Sequence, residues 1–151
     1  MNAARPRGFT LIELMVVIAL IAIASAMASL AMRDPAATRL EHEGARLVAL
    51  LEAARTEARA AGLSASWAPT TTEAGFRFVG MPESSKLPDA WLTEGVTAEV
   101  IGARAVVLGP EPLIGAQRIV LRLDAQRLTL ATDGLGPFVV VDDDASASPR
   151  S

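Results

Sequence analysis

The sequence contains no cysteine, no tyrosine, a single histidine and a single lysine among its 151 residues. Without cysteine the chain can form neither disulfides nor thiolate metal sites. The lone histidine, His42, has no second histidine with which to hold a transition metal, so we expect a surface residue and no metal site. Ser/His/Asp chemistry would also depend on His42, and no phosphate-binding loop is present. The sequence therefore predicts neither an enzyme nor a cofactor.

Positive charge is also scarce, because acidic residues outnumber basic ones and give a formal net charge of −3 at pH 7. Binding to a phosphate backbone relies on clustered Lys and Arg, and an aromatic content of 4% leaves little surface for stacking bases. We therefore expect no nucleic-acid partner. The strongest contrary observation is that Arg118, Arg122 and Arg127 could lie together on the exposed face of one predicted hairpin. A solvated outer strand face is the alternative interpretation.

What the chain does have is a long uncharged stretch, residues 14–32, preceded by a short basic leader. As a helix it would span about 28 Å, close to the roughly 30 Å of a bilayer's hydrocarbon core. Glu13 stands at its head, where a carboxylate is costly and by default marks function. A secretory signal cut near residues 24–26 would have a shorter core, and an ordinary anchor leaves Glu13 without a purpose. We favour a cleaved leader followed by a retained helix.

The junction Gly8-Phe9-Thr10-Leu11-Ile12-Glu13 resembles the class III signal of type IV pilins and type II secretion pseudopilins. The resemblance implies that prepilin peptidase cuts between Gly8 and Phe9 and methylates the amino group of Phe9. Glu13 then matches the family's glutamate, which pairs with the terminal amine of a neighbouring subunit. Electrostatics agrees, since a methylated ammonium in lipid needs an anionic partner and Glu13 is the only carboxylate in the segment.

The charges around the apolar segment predict its orientation. Arg5 and Arg7 precede it, whereas Arg33 and Asp34 beyond it cancel, so the leader stays in the cytoplasm and the rest is exported. We expect a single-pass protein of the bacterial inner membrane with a periplasmic domain. Losing Arg5 and Arg7 with the leader changes the formal charge from −3 to −3 − 2 = −5. The predicted segments are a leader at 1–8, a transmembrane helix at 9–32, the periplasmic half of the stalk helix at 33–62, a β domain at 63–141 and a disordered acidic tail at 142–151.

Residues 36–61 carry the clearest helical pattern outside the membrane segment. Asp34 and Pro35 suit the N-cap and first helical positions, and Gly62 suits the C-terminal stop. The apolar stripe consists of Leu40, Leu47, Leu51, Ala54 and Ala58. The residues leave open whether Pro35 kinks one stalk or separates two helices. The resemblance favours a kinked stalk.

Beyond Gly62 the pattern changes to short strands between turn residues. The predicted strands are 63–68, 75–79, 96–101, 103–108, 118–123, 127–131 and 138–141, with a hairpin turn at 124–126. A helix stripe facing an antiparallel sheet is an α+β, pilin-like arrangement. We expect Trp67 and Trp91 to pack against the sheet rather than to form a ligand cage.

A second resemblance is to the minor pseudopilin of the H type. It rests on residues 47–62, on Trp67, Phe76 and Phe78, and on the stretches 109–118 and 133–138. It implies a subunit that links the tip complex of the pseudopilus to the shaft for export of folded periplasmic proteins. The implied partners are other minor pseudopilins, the major pseudopilin, prepilin peptidase, the inner-membrane assembly platform and membrane lipid.

Two related alternatives stay open. A major pseudopilin would carry a calcium loop, but the only acidic cluster is Asp142–Asp144, which we interpret as a solvated tail. A minor pilin of a type IV pilus could bind and take up DNA through the three arginines. Separately, Glu111-Pro112-Leu113 is either a contact with another minor subunit or a plain interstrand loop.

Overall fold

The computed structural model describes residues 9–31, 34–70, 75–111 and 113–141. The chain divides into two units, Met1–Asp34 and Pro35–Ser151. The predicted leader at 1–8 and the predicted tail at 142–151 lie outside the described residues.

The described part of the N-terminal unit contains one helix, α1 (Leu11–Ala31), built from aliphatic residues, methionine and small residues, with Glu13 in its first turn. Its 21 residues correspond to about 31 Å of helix. None of the window Leu11–Ala28 is buried, and by length and composition it can cross a membrane. α1 lies within the predicted membrane segment 9–32.

The second helix, α2 (Pro35–Ala61), begins at the proline that the sequence predicts for its first position. All five residues of the predicted stripe are buried, which confirms the face that α2 turns to the core. Gly62 ends the helix with φ +64°, and the Leu63 amide donates to the Ala58 carbonyl at 2.8 Å. This is a Schellman-type stop. Residues 32–33 lie outside the described ones, so the kinked stalk stays a prediction.

Among the residues described after α2 there are seven strands and one short helix. They are β1 (Ser66–Thr70), β2 (Gly75–Val79), a 3₁₀ turn (Glu83–Ser85), β3 (Thr97–Val100), β4 (Val106–Val107), β5 (Gln117–Leu123), β6 (Gln126–Thr132) and β7 (Val139–Val141). Two antiparallel sheets result, one with the order β2-β1-β4 and one with the order β3-β5-β6-β7. The α+β, pilin-like prediction is confirmed.

The four-stranded sheet packs one face on α2. Ile119, Leu121 and Leu123 alternate inward from β5, and Leu121 stands opposite Leu128 on β6. A Cβ on Gly44 of α2 would collide with the Leu128 side chain, so the glycine lets helix and sheet approach closely. The helix stripe and these strand residues together form the main hydrophobic core.

At each edge of the three-stranded sheet, a group from outside the sheet forms hydrogen bonds with the outer strand. It is a side chain at β4 and a loop carbonyl at β2. The side-chain amide of Gln117 accepts from the Val107 N–H at 2.7 Å and donates to the Val107 carbonyl at 2.9 Å. At the other edge the Phe76 amide donates to the Asp89 carbonyl at 2.8 Å. Both outer strands, β4 and β2, therefore have backbone groups bonded outside the strand ladder.

Every predicted strand is present among the described residues, but only β2 has the predicted bounds. Three of the differences have a visible cause. β1 begins at Ser66 rather than residue 63, because the preceding residues still close the end of α2. β4 contains two residues instead of the predicted six, because a turn at Gly102, φ +77°, uses most of the intervening chain. β7 begins one residue late, because the Phe138 amide donates to Glu52 of α2 at 3.1 Å instead of joining the ladder.

Candidate processing and assembly site

The head of α1 is capped by a side chain that the sequence analysis did not single out. The Glu13 amide donates to Thr10 Oγ1 at 3.3 Å, and the Leu14 amide donates to the Thr10 carbonyl at 3.2 Å. Thr10 is thus the N-cap and Glu13 the third helical residue. Thr-x-x-Glu is the capping-box signature, in which the glutamate can reach back toward the cap. The Thr-x-x-Glu spacing of Thr10 and Glu13 could have predicted this cap from the sequence.

Phe9 and Glu13, the two predicted functional residues within the described chain, are both exposed. Phe9 is 82% exposed, and Glu13 has no ion-pair partner among the described residues. Long helical side chains lean toward the N-terminus, which brings a carboxylate at Glu13 toward the end where Phe9 lies. Gly8, the other half of the predicted cleavage site, lies outside the described residues. The geometry leaves the Glu13 carboxylate available to an amine.

The three arginines of the second candidate site lie on one face, as predicted. Arg122 on β5 stands directly opposite Arg127 on β6, and Arg118 lies four residues before Arg122 on the same face. All three are exposed. Arg122 Nη2 lies 3.4 Å from Glu99 Oε2 of the neighbouring β3, and both side chains are more than half exposed. The described part of this face therefore carries three exposed arginines and the carboxylate of Glu99, while Val120 and Thr129 between them are buried.

The other candidate residues lie on the surface of the domain or pack in its core. His42 is exposed on α2, Trp67 is fully buried, and half-buried Trp91 packs edge-on against Phe76 with ring centroids 4.7 Å apart. Nowhere in the described chain do three or more His, Cys, Asp or Glu residues gather as a metal site would need. Asp142–Asp144 lie outside the described residues. In the predicted contact loop, Glu111 and Leu113 are exposed, and residue 112 lies outside the description.

Sequence reasoning missed a buried arginine. Arg55 of α2 is 2% exposed and donates to the carbonyl oxygens of Gly136 at 2.7 Å and Gly134 at 2.9 Å. Its guanidinium also lies 3.6 Å from Glu52, which accepts from the Phe138 amide. Arg55 thus fastens the loop before β7 to the helix. Its position one residue after Ala54 of the apolar stripe was the signal for burial.

A second buried charge fastens the chain before β3. Glu43 is 2% exposed and accepts from the Thr93 amide at 2.6 Å. Arg46, one turn further along α2, contacts Glu43 at 3.5 Å and donates to the Ala90 carbonyl at 3.0 Å. A carboxylate this deeply buried needs such partners to be tolerated. The pair holds the loop around residues 90–93 on the helix.

The loop before β7 also carries its own turn. Asp133 Oδ1 accepts from the Gly136 amide at 2.8 Å and from the Leu135 amide at 2.9 Å. These two backbone donors, the Gly136 amide first, lower the pKa of the Asp133 carboxyl below its ordinary value. Asp133 and Arg55 therefore hold one loop from its two sides, and Leu135 at the tip is 69% exposed.

Comparison with known proteins identifies the N-terminal segment and the fold. The family described as the prokaryotic N-terminal methylation motif matches residues 4–29. No curated protein shows significant similarity in sequence. Among solved structures, the type IV minor pilin FimU of Pseudomonas aeruginosa strain PAO1 is similar, with a TM-score of 0.55 and 15% identity over 76% of this chain and 95% of that one. At that identity the likeness establishes the fold. The chain thus carries the methylation motif of type IV pilin-like proteins on an apolar helix, ahead of a domain with the pilin fold.

Proposed function

We propose that this chain is a minor subunit of a pilin-like filament, processed between Gly8 and Phe9 and assembled through Glu13. The observation that carries the proposal is the exposed, capped head of α1 inside the methylation motif. Leader removal creates an ammonium at Phe9, and methylation retains its positive charge. Glu13, with no ion-pair partner in the described chain, is the group that can neutralise such an amine on an adjacent subunit.

The apolar interior of the membrane gives this ion pair its energetic importance. An ammonium or a carboxylate alone in hydrocarbon is costly, whereas a pair is tolerable. A subunit leaving the bilayer for a filament would gain most when its Glu13 meets the Phe9 amine of the subunit already in place. The prepilin peptidase, the assembly platform of the inner membrane and membrane lipid are the partners this route requires.

The finer assignment that we propose is a minor pseudopilin of the H type in a type II secretion system. Support comes from the sequence resemblance at residues 47–62, 109–118 and 133–138 with Trp67, Phe76 and Phe78, and from an acidic balance that does not suit DNA. In that role the subunit joins the tip complex to the major pseudopilin shaft, with its folded domain in the periplasm. It is a structural subunit rather than an enzyme.

A minor pilin of a type IV pilus is the second candidate. The specific observation in its favour is the fold likeness to a protein that is itself a type IV minor pilin. Deleting the gene separates the two roles. Loss of protein export across the outer membrane with intact surface pili supports the pseudopilin, and loss of pili with intact export supports the pilin.

The assembly role is tested by variants that separate charge from helix capping. Gly8→Ala is expected to block leader removal, seen as a larger product on a gel. Glu13→Gln keeps a capping-box residue but removes the charge, and we expect normal processing with loss of filament incorporation. Thr10→Val removes the cap and keeps the charge, and should incorporate. Normal incorporation of Glu13→Gln and Glu13→Leu would show that the proposed ion pair is not used.

A further inference from the structure

The loop that Glu43 and Arg46 fasten to α2, residues 90–93, presents an apolar side chain to solvent. Leu92 is 77% exposed, and no large apolar side chain described beyond α1 is more exposed. Trp91 beside it is half-buried. A single exposed leucine is common on protein surfaces. What distinguishes Leu92 is the place on α2 at which its loop is held.

The loop is held near the end of α2 that adjoins the membrane segment. Pro35, the first residue of α2, comes four residues after Ala31, the last residue of α1, so the covalent chain keeps their Cα atoms within about 14 Å of each other. Glu43 and Arg46 follow Pro35 by eight and eleven residues, which corresponds to about 12–17 Å along the helix. With α1 in a bilayer, the chain therefore holds Leu92 within reach of the lipid headgroups.

The side of α2 beside this loop carries basic residues in its first turns. Arg39, His42 and Arg46 recur at spacings of three and four, so they share one stripe of the helix. Arg39 is exposed, and Arg46 lies against the loop because it donates to the Ala90 carbonyl. Glu41 lies on the opposite side, about 200° around the helix from Arg39. Basic side chains beside Trp and Leu are the composition of helices that lie on membrane surfaces.

Two exposed carboxylates limit how deeply the loop can enter lipid. Asp89 precedes residues 90–93, and Glu94 follows them. A charged carboxylate is costly in hydrocarbon, so both side chains have to stay in water. A contact with lipid is therefore shallow and lies at the headgroup boundary, where tryptophan is enriched.

A second exposed leucine provides the comparison. Leu135 is 69% exposed on the loop that Arg55 fastens to α2. Arg55 follows Glu43 by twelve residues, which corresponds to about 18 Å further along the helix and about 120° around it. Leu135 thus belongs to a loop on another side of α2, attached further from the membrane segment.

We propose that the loop of residues 90–93 contacts the surface of the membrane that α1 spans, with Leu92 at the headgroup boundary and Arg39 on lipid phosphates. The inference rests on the proposed function in one respect, namely that α1 is retained in a bilayer. One leucine gives only a weak contact, but the covalent tether supplies a high effective concentration of lipid. The contact sets which side of the domain faces lipid in the unassembled subunit.

The full-length chain in lipid nanodiscs, at one chain per disc, tests the contact. Because the sequence has no cysteine, Ala90→Cys places a single bimane fluorophore beside an intact Leu92, and Leu135→Cys places one on the comparison loop. The discs contain phosphatidylethanolamine and phosphatidylglycerol, with a nitroxide quencher on the headgroup. We expect about half of the fluorescence to be quenched at position 90 and less than about a tenth at position 135.

Substitutions at Leu92 test whether this side chain makes the contact. Leu92→Glu should lower the quenching at position 90 to the level of position 135, because a carboxylate opposes insertion, whereas Leu92→Met should retain it. The matched control is Leu113→Glu, at a leucine that is 66% exposed elsewhere on the domain, which should leave the quenching at position 90 unchanged. Should Leu92→Glu unfold the domain, as judged by circular dichroism, Leu92→Gln replaces it and the same loss is required.

A probe in α1 keeps the two proposals apart. Ile21→Cys, in the middle of α1, should be quenched by a nitroxide on the lipid acyl chain. If position 21 is quenched and position 90 is not, the loop contact is wrong and the proposed function stands. If position 21 is not quenched, α1 does not lie in the bilayer and the proposed function itself fails.

Two further results would overturn the loop contact. Equal quenching at positions 90 and 135 would mean that the domain touches lipid without a preferred side. Quenching at position 90 that appears only in discs with several chains would mean that a second copy, rather than the tether alone, brings the loop to the lipid. Quenching at one chain per disc that depends on Leu92 supports the lipid surface as the partner.

Discussion

The guanidinium of Arg55 donates to the carbonyl oxygen of Gly134 at 2.9 Å, across 79 residues of sequence. A second bond to Gly136 at 2.7 Å makes the contact two-pronged. The link joins the middle of α2 to the loop that leads into the last strand. It is a long-range contact made by one of the two charged residues, Arg55 and Glu43, that α2 buries among apolar ones.

Replacing Arg55 by methionine is expected to destabilise the domain by about 3 kcal/mol, because two charge-assisted bonds are lost and buried carbonyls remain unsatisfied. Arg55→Lys should recover only part of this, since an ammonium cannot reproduce the guanidinium fork. Urea unfolding of the full chain in nonionic detergent measures the change. Arg39→Met, on the exposed side of α2, is the control. Equal effects of the two methionine variants would contradict the anchoring role.

Glu43→Ala should release the loop around Thr93 from α2, because the Thr93 amide loses the carboxylate that accepts it at 2.6 Å. Hydrogen exchange of that amide is expected to accelerate, with a loss of about 1–3 kcal/mol in stability. Glu43→Gln retains an acceptor oxygen and should exchange more slowly than the alanine variant. Glu41→Ala, on the exposed side of the same helix, should leave Thr93 protected. An unprotected Thr93 amide in the wild-type chain would refute the contact.

Asp133 gives the domain a predictable response to acid. Backbone hydrogen bonds lower the folded-state pKa of its carboxyl, so its stabilisation is complete above the ordinary aspartate pKa of about 3.9. It is lost as the pH falls through the lower pKa of the folded state. The difference in unfolding free energy between wild type and Asp133→Asn should therefore shrink on acidification. A difference that grows toward low pH would show that the folded-state pKa is raised instead.

Gly134→Ala tests the close approach of two loops. Gly134 has φ +91°, and an added Cβ would collide with the backbone carbonyl of Ile114. We expect a loss of about 2 kcal/mol, measured by thermal unfolding. Gly115→Ala is the matched control, since its Cβ would meet nothing within 4 Å and should cost less than about 0.5 kcal/mol. Equal melting temperatures for the two variants would rule out the clash.

Local patterns predicted most of the fold. The stripe that includes Leu47 and Leu51 followed the helical period, and the alternation of Ile119 and Leu121 followed the strand period, so burial was visible in each. The division into two sheets was not visible, because β4 pairs with β1 and β3 pairs with β5, and the members of each pair are distant in sequence. Strand pairing beyond hairpins is decided by packing of the whole domain.

The candidate site was predictable for a different reason. A charge in an apolar segment is costly, and that cost singles out Glu13 without any structure. Thr10 was missed because a hydroxyl beside a membrane segment carries no comparable penalty. Arg55 and Glu43 were missed because charged residues are usually exposed, and only tertiary contacts reveal that loop backbone satisfies them.

The bond pair between Gln117 and Val107 has a consequence for how copies of this chain meet. Unpaired strand edges are templates on which chains join by adding strands. A single amide side chain occupies the outer edge of β4 with both bonds that a neighbouring strand would make, and the Asp89 carbonyl accepts from β2 at the opposite border. Joining of two copies through these borders would first require the Gln117–Val107 bonds or the Phe76–Asp89 bond to break.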